Sequence, residues 1–349
     1  MSGEVLISGA GVAGMSLAYW LHRQGYGVSV VERAAALRGG LHAVGFRGDA
    51  LGVLDGMGLL PQMRDHALRM DAITLIDADG KPAGELPVRT VADGLEVLQA
   101  DVTRLLHSNT ADDVRYVFDD SITAIDRDED GVSVAFARAS GRRYDLVIGA
   151  DGLYSNVRRH VFGPHRDFVR HLGLSGVGFT TANWLGLGRE ALRYSTPGRS
   201  VHLFSARNPD RMIVSLWVAT ASPHADRLSR DAQERLVRER FAGAGWQVPR
   251  LLEAMRLAPD FSFASACQVT MDRWSHGRVV LVGDAAYCAA PTAGAGASQA
   301  LIGAHVLAAR LLESAGDHTA AFPAYERDLR PSITENQSKG AEAAKTFAA

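Results

Sequence analysis

The chain has 349 residues, of which 47% are hydrophobic, and its 37 basic and 39 acidic side chains leave a formal net charge of −2. This length allows one large or two modest domains with buried cores, and the balanced charge argues against a nucleic acid or an anionic membrane surface as a partner. No apolar stretch of the sequence approaches the roughly 20 residues that a membrane span requires.

Two further features bear on location and on metal binding. The N-terminus begins with a strand pattern instead of the charged and apolar regions of a signal peptide, so we expect a cytoplasmic protein. Cys267 and Cys288 have no CxxC spacing, so the sequence predicts neither a disulfide framework nor a metal site. No pattern specifies an oligomer, and we expect a monomer or a homodimer.

The N-terminal segment predicts the start of a doubly wound α/β fold. An apolar strand at 5–8, a helix at 12–24 and a second strand at 28–32 follow one another with a glycine-rich turn after the first strand. This order is typical of a right-handed βαβ unit.

The glycine-rich turn between the first strand and the helix has the full GxGxxG pattern. Its first glycine permits a tight turn, its second lets a pyrophosphate approach the backbone, and its third lets the helix pack on the strand. The helix N-terminus offers unpaired N–H groups to phosphate oxygens. The turn therefore predicts a bound dinucleotide, with contacts from Gly9, Gly11, Val12, Ala13 and Gly14.

The end of the second strand carries a charged pair, Glu32 and Arg33. An acidic side chain about 20 residues after the glycine turn is suited to accept hydrogen bonds from the adenosine ribose hydroxyls. We predict that Glu32 does so, and that Arg33 covers the adenine or a phosphate.

The middle of the chain predicts hairpins and a second domain. Asp79-Gly80 and Asp130-Gly131 lie between β-rich runs and predict hairpin turns, which we assign to insertions around the nucleotide-binding sheet. From 166 to 269 the pattern changes to separated strands with one charged helix at 230–241. We therefore predict a discontinuous nucleotide-binding domain, 1–165 and 270–349 with hairpins near 71–90, and an inserted β-sheet-rich substrate domain, 166–269.

A stretch near the C-terminal end of the chain distinguishes FAD from NAD. A buried strand at 278–282 ends in Gly-Asp, and small residues precede a helix at 298–312. A carboxylate at that strand end can bond the hydroxyls of a ribitol chain, which FAD has and NAD lacks. The following helix N-terminus can stabilise the negative charge of a reduced flavin. The residues that we predict to contact FAD here are Asp284, Pro291, Gly294, Gly296 and Ala297.

These motifs together resemble the class A flavoprotein hydroxylases, the p-hydroxybenzoate hydroxylase superfamily with its salicylate hydroxylases and tetracycline-inactivating monooxygenases. The run DLVIGADGLYSNVR at 145–158 looks like the family's Asp-Gly motif, and QADVTR at 99–104 looks like its flavin-contacting segment. The resemblance implies a discontinuous Rossmann-like FAD-binding domain with an inserted substrate sheet. It also adds Gln99 and Asp151 to the expected cofactor contacts, and places the loop 38–46 and the turn 291–296 beside the flavin ring.

The sequence departs from the family pattern at several positions. Tyr287 stands where many members have His, Ser298 where Asn or Gly is common, and Gly303 where Asp is common. The tail after Pro331 is polar and Ala-rich, and we expect it to be loosely held.

The resemblance also implies the reaction. NADPH or NADH would reduce a non-covalently held FAD, O2 would add to carbon 4a, and the resulting hydroperoxide would hydroxylate an electron-rich aromatic or enolic small molecule such as a polyketide or antibiotic-like compound. The catalytic side chain is unknown from the sequence. His202 shares a predicted strand face with Phe204 and is the candidate for the pocket, although a structural or exposed histidine is the commoner case. Trp217 is expected in the core.

Two other functions remain open at the level of the sequence. A dehydrogenase or reductase of the same fold would transfer hydride without inserting oxygen. A flavin-binding protein without catalysis would hold FAD that neither NADH nor NADPH reduces; the replacements at 287, 298 and 303 leave that alternative open, and the intact Gly-Asp and Asp-Gly motifs argue against it.

Overall fold

The computed structural model describes residues 3–37, 40, 42–68, 70–87, 94–205 and 208–348. Within them the α-helices are α1 (Val12–Arg23), α2 (Asp49–Gly56), α3 (Leu60–Asp65), α4 (Gln99–Ser108), α5 (Asn156–Val161), α6 (Arg230–Arg240), α7 (Val248–Leu257), α8 (Asp284–Tyr287), α9 (Gly296–Glu313) and α10 (His318–Ala348). Short 3₁₀ turns span His165–Asp167, Ala225–Arg227 and Pro291–Ala293.

The strands of the same residues are β1 (Glu4–Ser8), β2 (Gly27–Glu32), β3 (Ala43–Arg47), β4 (Ala72–Ile76), β5 (Pro82–Pro87), β6 (Gly94–Leu98), β7 (Arg115–Phe118), β8 (Ile122–Arg127), β9 (Val132–Phe136), β10 (Arg142–Tyr144), β11 (Leu146–Gly149), β12 (Val169–Ala182), β13 (Glu190–Thr196), β14 (Arg199–Ser205), β15 (Arg211–Ala219), β16 (Ser262–Val269), β17 (Ser275–His276) and β18 (Val279–Leu281).

The first sheet has the order β17-β18-β11-β1-β2-β7 among the described residues. Its strands run parallel except β17, which pairs antiparallel with β18. Val5, Leu6 and Ile7 of β1 are fully buried, because a central parallel strand is covered by protein on both faces. The segment 279–281 returns to this sheet beside β11. The predicted Rossmann-like sheet, with strands from both the N-terminal and the C-terminal parts of the chain, is therefore confirmed.

The second sheet has the order β16-β12-β15-β14-β13-β4-β5. Its two faces follow the alternation of β14 and β15. Val201, Leu203, Val214 and Leu216 are fully buried in one apolar cluster with residues of α6 and α7. Because successive side chains of a strand point to opposite faces, the side chains between them face away from those helices.

The hairpin β4–β5 corrects one prediction. A turn at 77–81 closes it, as the sequence predicts, but β4 pairs parallel with β13. The hairpin therefore extends the second sheet and is not an insertion around the first. The other predicted hairpin, with its turn at Asp130-Gly131, joins β8 to β9 in a separate three-stranded sheet with β10.

The tail after Pro331 is helical and tied to the rest of the molecule. The Gln337 side chain donates to Val269 O at 2.7 Å, and Gln268 donates to Gln337 O at 2.6 Å. Thr292 donates its hydroxyl to Gly340 O at 2.7 Å. The expectation of a loosely held tail is wrong, because α10 has hydrogen-bonding partners in both the second sheet and the turn before α9.

No helix in the described ranges is both long and apolar enough to cross a membrane.

Candidate active site

One cavity of about 750 Å³ is lined by both sheets and by the loops at the carboxyl ends of β1, β2, β11 and β18. It brings together all the predicted cofactor contacts except Gly14. The predicted residues on its wall are Gly9, Gly11, Val12, Ala13, Glu32, Arg33, Gln99, Asp151, Asp284, Pro291, Gly294, Gly296 and Ala297.

The glycine turn after β1 has the geometry of a phosphate cradle. Gly9 has φ +109°, and a Cβ there would lie 2.7 Å from the Ala150 carbonyl carbon. A Cβ on Gly11 would meet nothing within 4 Å, so its backbone is open to the cavity. No side chain caps α1, which leaves its first N–H groups available to an anion.

Gly14 lies behind this turn and does not reach the cavity. A Cβ at this position would clash with the Gly9 carbonyl and lie 3.3 Å from the Ala150 side chain. The third glycine is therefore needed for the packing of α1 against the strand ends, and its place among the cofactor contacts is not supported by the geometry.

Glu32 is fixed at the end of β2 by two backbone groups. Its carboxylate accepts hydrogen bonds from Ala10 N at 3.0 Å and from Ala34 N at 2.9 Å. Carboxylate oxygens accept more than one hydrogen bond each, so the side chain can still receive ribose hydroxyls. Arg33 beside it is exposed on the same cavity wall.

Asp151 lines the cavity and also accepts hydrogen bonds from the backbone at the start of α5. One carboxylate oxygen accepts from Asn156 N at 2.7 Å and Val157 N at 3.2 Å, at the start of α5. Its other oxygen is buried and accepts no hydrogen bond from the described part of the chain, and burial raises the pKa of the carboxyl.

Arg158 connects the Asp-Gly motif with the segment after β18. Its fully buried guanidinium donates to Leu153 O at 2.6 Å and to Ala285 O at 2.8 Å. Burial lowers its pKa to about 10, so the group still carries its charge at neutral pH. The side chain pairs locally and links the Asp-Gly motif to the Gly-Asp segment that follows β18.

Asp284 follows β18 and points into the cavity. Protein surrounds the carboxyl, and this burial raises its pKa, yet the residue is exposed because the cavity gives access to it. Gly283 before it has φ +65° and would place a Cβ 2.9 Å from the Ala13 side chain. The close packing of two glycine turns thus presents the carboxyl beside the start of α1.

The segment from Pro291 to Ala297 forms the rest of the cofactor side. A 3₁₀ turn ends at Gly294, which has φ +62°, and α9 then begins at Gly296 without a side-chain cap. Its open N-terminus can stabilise negative charge on a ligand. Gln99 faces this side from the start of α4 and donates its backbone N–H to His42 O at 2.9 Å.

The second half of the loop 38–46 lies on the cavity wall, and its place beside the flavin ring stays a prediction. His42, Ala43, Val44 and Gly45 line the cavity, whereas Arg38, Gly39 and Leu41 lie outside the described residues.

The three departures from the family pattern lie away from the cavity. A Cβ on Gly303 would clash with the Tyr287 hydroxyl, and that hydroxyl lies 3.1 Å from the Tyr325 hydroxyl in the buried core. Tyr287 and Gly303 therefore pack together, because the absence of a side chain at Gly303 leaves room for the Tyr287 hydroxyl. Ser298 accepts from Arg47 N at 3.2 Å and donates to Gly45 O at 2.9 Å, which ties β3 to α9.

The second sheet forms the opposite wall of the cavity. His202 and Phe204 line it, as the strand alternation predicts. Trp217 also lines it, with its ring 2.6 Å from where a Gly176 Cβ would be, and donates its indole N–H to Ser215 Oγ at 3.0 Å. The prediction that Trp217 belongs only to the core is wrong.

Charge is unevenly distributed over the described lining residues. Glu32, Arg33, Asp120, Asp151 and Asp284 all lie on the cofactor side. The described lining residues that the second sheet contributes include no Lys, Arg, Asp or Glu; they are Gly178, His202, Phe204, Ile213, Val214, Ser215, Trp217, Ala264, Ser265 and Cys267.

The titratable groups of that wall are neutral at physiological pH. Burial, with a smaller contribution from Arg193, lowers the pKa of His202 to about 4, and burial raises the pKa of the Cys267 thiol to about 11. The adjoining His42 also has a pKa lowered by burial.

Sequence reasoning did not find Tyr154 or Asp120 as lining residues, whereas His42 falls in the loop 38–46 that the resemblance places beside the flavin ring. Tyr154 lies three positions after Asp151, so the Asp-Gly motif could have indicated it. Asp120 carries no comparable signal, because only the tertiary fold brings its segment to the cavity.

Comparison with known proteins places this geometry among flavoproteins. The FAD binding domain family model matches residues 2–334. A flavin-dependent monooxygenase of Legionella longbeachae is 34% identical over 350 residues, which covers 99% of this chain and 89% of the relative. An uncharacterized protein of Mycobacterium tuberculosis is 41% identical over 339 residues, covering 95% of this chain and 91% of the relative.

Among solved structures, the crystal structure of tetracycline destructase Tet(51) superposes with a TM-score of 0.90 at 33% identity, over 100% of this chain and 92% of that one.

Proposed function

The chain belongs to the FAD-binding domain family of flavoproteins, and on that premise we propose that it is a monooxygenase that takes electrons from NADPH or NADH. In this proposal one atom of O2 enters a small, electron-rich aromatic or enolic molecule. The proposal goes beyond the family assignment in naming the electron donor, the co-substrate and the class of substrate.

One observation supports this function above the others, which is the continuity of the cavity. A dinucleotide cradle lined by Gly11, Asp151 and Asp284 opens without interruption onto the uncharged wall that carries His202 and Trp217. A redox cofactor lying in the cradle would present its reactive end to a molecule on that wall. A protein that only stored FAD would have no need of the uncharged wall beside the cradle.

The residues present fit FAD on structural grounds. The open backbone at Gly11 accepts a pyrophosphate, Glu32 is placed for the adenosine ribose, and Asp284 is placed for the ribitol hydroxyls. When bound, FAD supplies hydride acceptance and the activation of O2.

The chain's own residues position the reactants and set the electrostatics. The N-terminus of α9 favours negative charge at the cofactor end nearest to Gly296. Phe204, Ile213 and Trp217 give the wall an apolar surface that excludes water from the reacting atoms. His202 is a neutral imidazole, so it can accept a hydrogen bond from a phenol or enol hydroxyl and orient the substrate.

NADPH or NADH is proposed as a transient visitor. The sequence contains one GxGxxG stretch, at 9–14, and FAD would occupy it. The nicotinamide donor would then approach from the open side of the cavity and leave after hydride transfer.

For the substrate we propose a fused-ring, phenolic or enolic compound of the polyketide kind. Tetracycline destructase Tet(51), at 33% identity, is named for such a molecule. The aromatic and uncharged wall of this cavity is compatible with a flat ring system.

A non-catalytic flavin protein is not favoured by the structure. The replacements at Tyr287, Ser298 and Gly303 were the sequence's reason for considering it, and each is explained by packing or hydrogen bonding outside the cavity.

The test is anaerobic reduction of the FAD-loaded protein by NADPH and by NADH, with and without tetracycline-like and simpler phenolic compounds. The flavin absorbance bands report the reduction, and isotope-labelled O2 is then admitted. We expect at least one compound to accelerate reduction and to gain one labelled oxygen atom.

Two results would contradict the proposal. Firmly bound FAD that neither nucleotide reduces, with any compound present, would indicate another electron donor or no catalysis. A product oxidised without labelled oxygen would indicate a dehydrogenase of the same fold.

A further inference from the structure

One register row of the second sheet carries polar side chains across the cavity wall. The strand register pairs Arg193 with His202, His202 with Ser215, Ser215 with Gly178, and Gly178 with Ser262. Residues paired directly across neighbouring strands point to the same face. These five positions therefore form one line over β13, β14, β15, β12 and β16, which we call the polar row.

His42 lies over the far end of the polar row, although it belongs to the loop before β3. Its Nε2 is 3.3 Å from Ser262 Oγ, and its Cε1 lies 3.0 Å from where a Gly178 Cβ would be. An alanine at position 178 would require the imidazole to shift by a few tenths of an ångström, so the absence of a side chain at Gly178 favours this close approach. His42 and His202 both line the cavity.

The spacing between the two imidazole positions follows from the sheet. Gly178 and His202 are separated by two strand spacings, about 10 Å, with the small side chain of Ser215 between them. The neighbouring register rows place Trp217 on one side and Phe204 on the other. The result is a slot with a polar group at each end and aromatic side chains along its edges.

The slot suits an uncharged occupant. Burial keeps both imidazoles neutral, and the described lining of this wall contains no full charge. The nearest cation on the row is Arg193, whose Nε donates to Ser195 Oγ at 3.3 Å and which is not among the cavity-lining residues. An ionised substituent would lose its hydration here without gaining a partner of opposite charge.

We propose that His42 and His202 are the two side chains that position the substrate, each hydrogen-bonding an oxygen substituent on opposite edges of a flat, uncharged aromatic or enolic molecule. This inference rests on the proposed function, and it adds the residues and the substitution pattern that the site selects.

The test uses the oxidised, FAD-loaded protein and three probes of one ring size. These are 2,6-dihydroxynaphthalene, with hydroxyls on opposite edges, 2-naphthol, with one hydroxyl, and 6-hydroxy-2-naphthoate, with one edge ionised. Binding is followed by the change in flavin absorbance. Because one added hydrogen bond contributes about 1 kcal/mol, we expect the diol to bind roughly fivefold more tightly than the naphthol, and the naphthoate to bind least.

Variants then assign the two hydrogen bonds. In His202→Leu and in His42→Leu one partner is left, so the diol and the naphthol should bind with a ratio near one. His202→Gln and His42→Gln should keep the preference for the diol, because an amide both donates and accepts. His22→Leu is the matched control, since His22 lies in the last turn of α1 with its side chain 39% exposed. FAD affinity, measured by fluorescence quenching, should be the same in all five variants.

The inference is overturned if the leucine variants keep the wild-type ratio, if the naphthoate binds most tightly, or if the wild-type protein binds none of the probes or does not prefer the diol. The proposed function is judged separately, by reduction with NADPH or NADH and by incorporation of labelled oxygen. Each proposal can therefore fail without the other.

Discussion

The packing of Gly303 against Tyr287 gives the sharpest test of the fold. In Gly303→Ala the new Cβ would clash with the Tyr287 hydroxyl and lie 3.1 Å from Cζ of the same ring. Tyr287 is fully buried between Trp274, at 4.7 Å between ring centroids, and Tyr325, so the ring has little room to move. Overpacking of this kind costs about 1–3 kcal/mol.

Helix propensity acts in the opposite direction. Alanine is more favourable than glycine inside a helix by about 0.5–1 kcal/mol. The net loss expected for Gly303→Ala is therefore roughly 0–2.5 kcal/mol of unfolding free energy. Gly52→Ala is the matched control, because Gly52 is an exposed residue of α2 whose Cβ would meet nothing within 4 Å, and it should stabilise the protein.

The double variant separates packing from other causes. Tyr287→Phe removes the hydroxyl that the new Cβ would meet, while the Tyr325 hydroxyl keeps its bond to Leu281 O at 3.1 Å. Combined with Gly303→Ala, it should cost less than the two single changes added together, by about 1 kcal/mol. Urea unfolding of the apoprotein, followed by tryptophan fluorescence, measures all four variants. Additive effects, or a Gly303→Ala protein as stable as Gly52→Ala, would refute the packing argument.

Three further predictions concern the cofactor side and the pH dependence. Gly11→Ala should leave the melting temperature of the apoprotein unchanged but weaken FAD binding at least tenfold, whereas Gly9→Ala should also lower the melting temperature; wild-type FAD affinity in Gly11→Ala would count against the pyrophosphate position. Asp284→Ala should weaken FAD binding roughly ten- to a hundredfold through loss of a charge-assisted hydrogen bond. The same change should not destabilise the apoprotein, because burial already disfavours that carboxylate. Calorimetry of the apoprotein measures its stability. The pKa of His202 is lowered from its ordinary 6.5 to about 4, so between these two pH values the unfolded chain takes up a proton that the folded one does not. The free energy of unfolding should therefore decrease as the pH falls through this range. His202→Gln should flatten the dependence of stability on pH there, and an unchanged slope would contradict the lowered pKa.

Several parts of this architecture follow from local sequence. The turn at 9–14, the strand before it and the helix after it each have a local reason, since glycine conformation, apolar runs and helix N-termini depend on near neighbours. The same holds for Asp151 and Asp284, which come at strand ends. The carboxyl ends of parallel strands meet at one sheet edge, so motifs far apart in sequence were expected at one cavity, and they lie there.

Other features depend on contacts that no local pattern encodes. The hairpin at 72–87 was predicted as a hairpin, but the alternation of its side chains says nothing about which sheet edge it joins, and it joins β13. The polar tail was expected to be loose because its composition is that of a solvated segment. Its helix is instead held by Gln337 and by the Thr292 hydroxyl, through backbone partners in distant elements.

The sequence by itself determined the cofactor cradle, because each part of the cradle depends on backbone geometry within a few residues. Only the tertiary structure decided what faces it. His42 packs directly over Gly178, which is far along the chain and has no side chain, and Tyr287 fits because Gly303 has none. Such pairs are complementary in volume across long sequence separations, and packing in three dimensions is what brings them together.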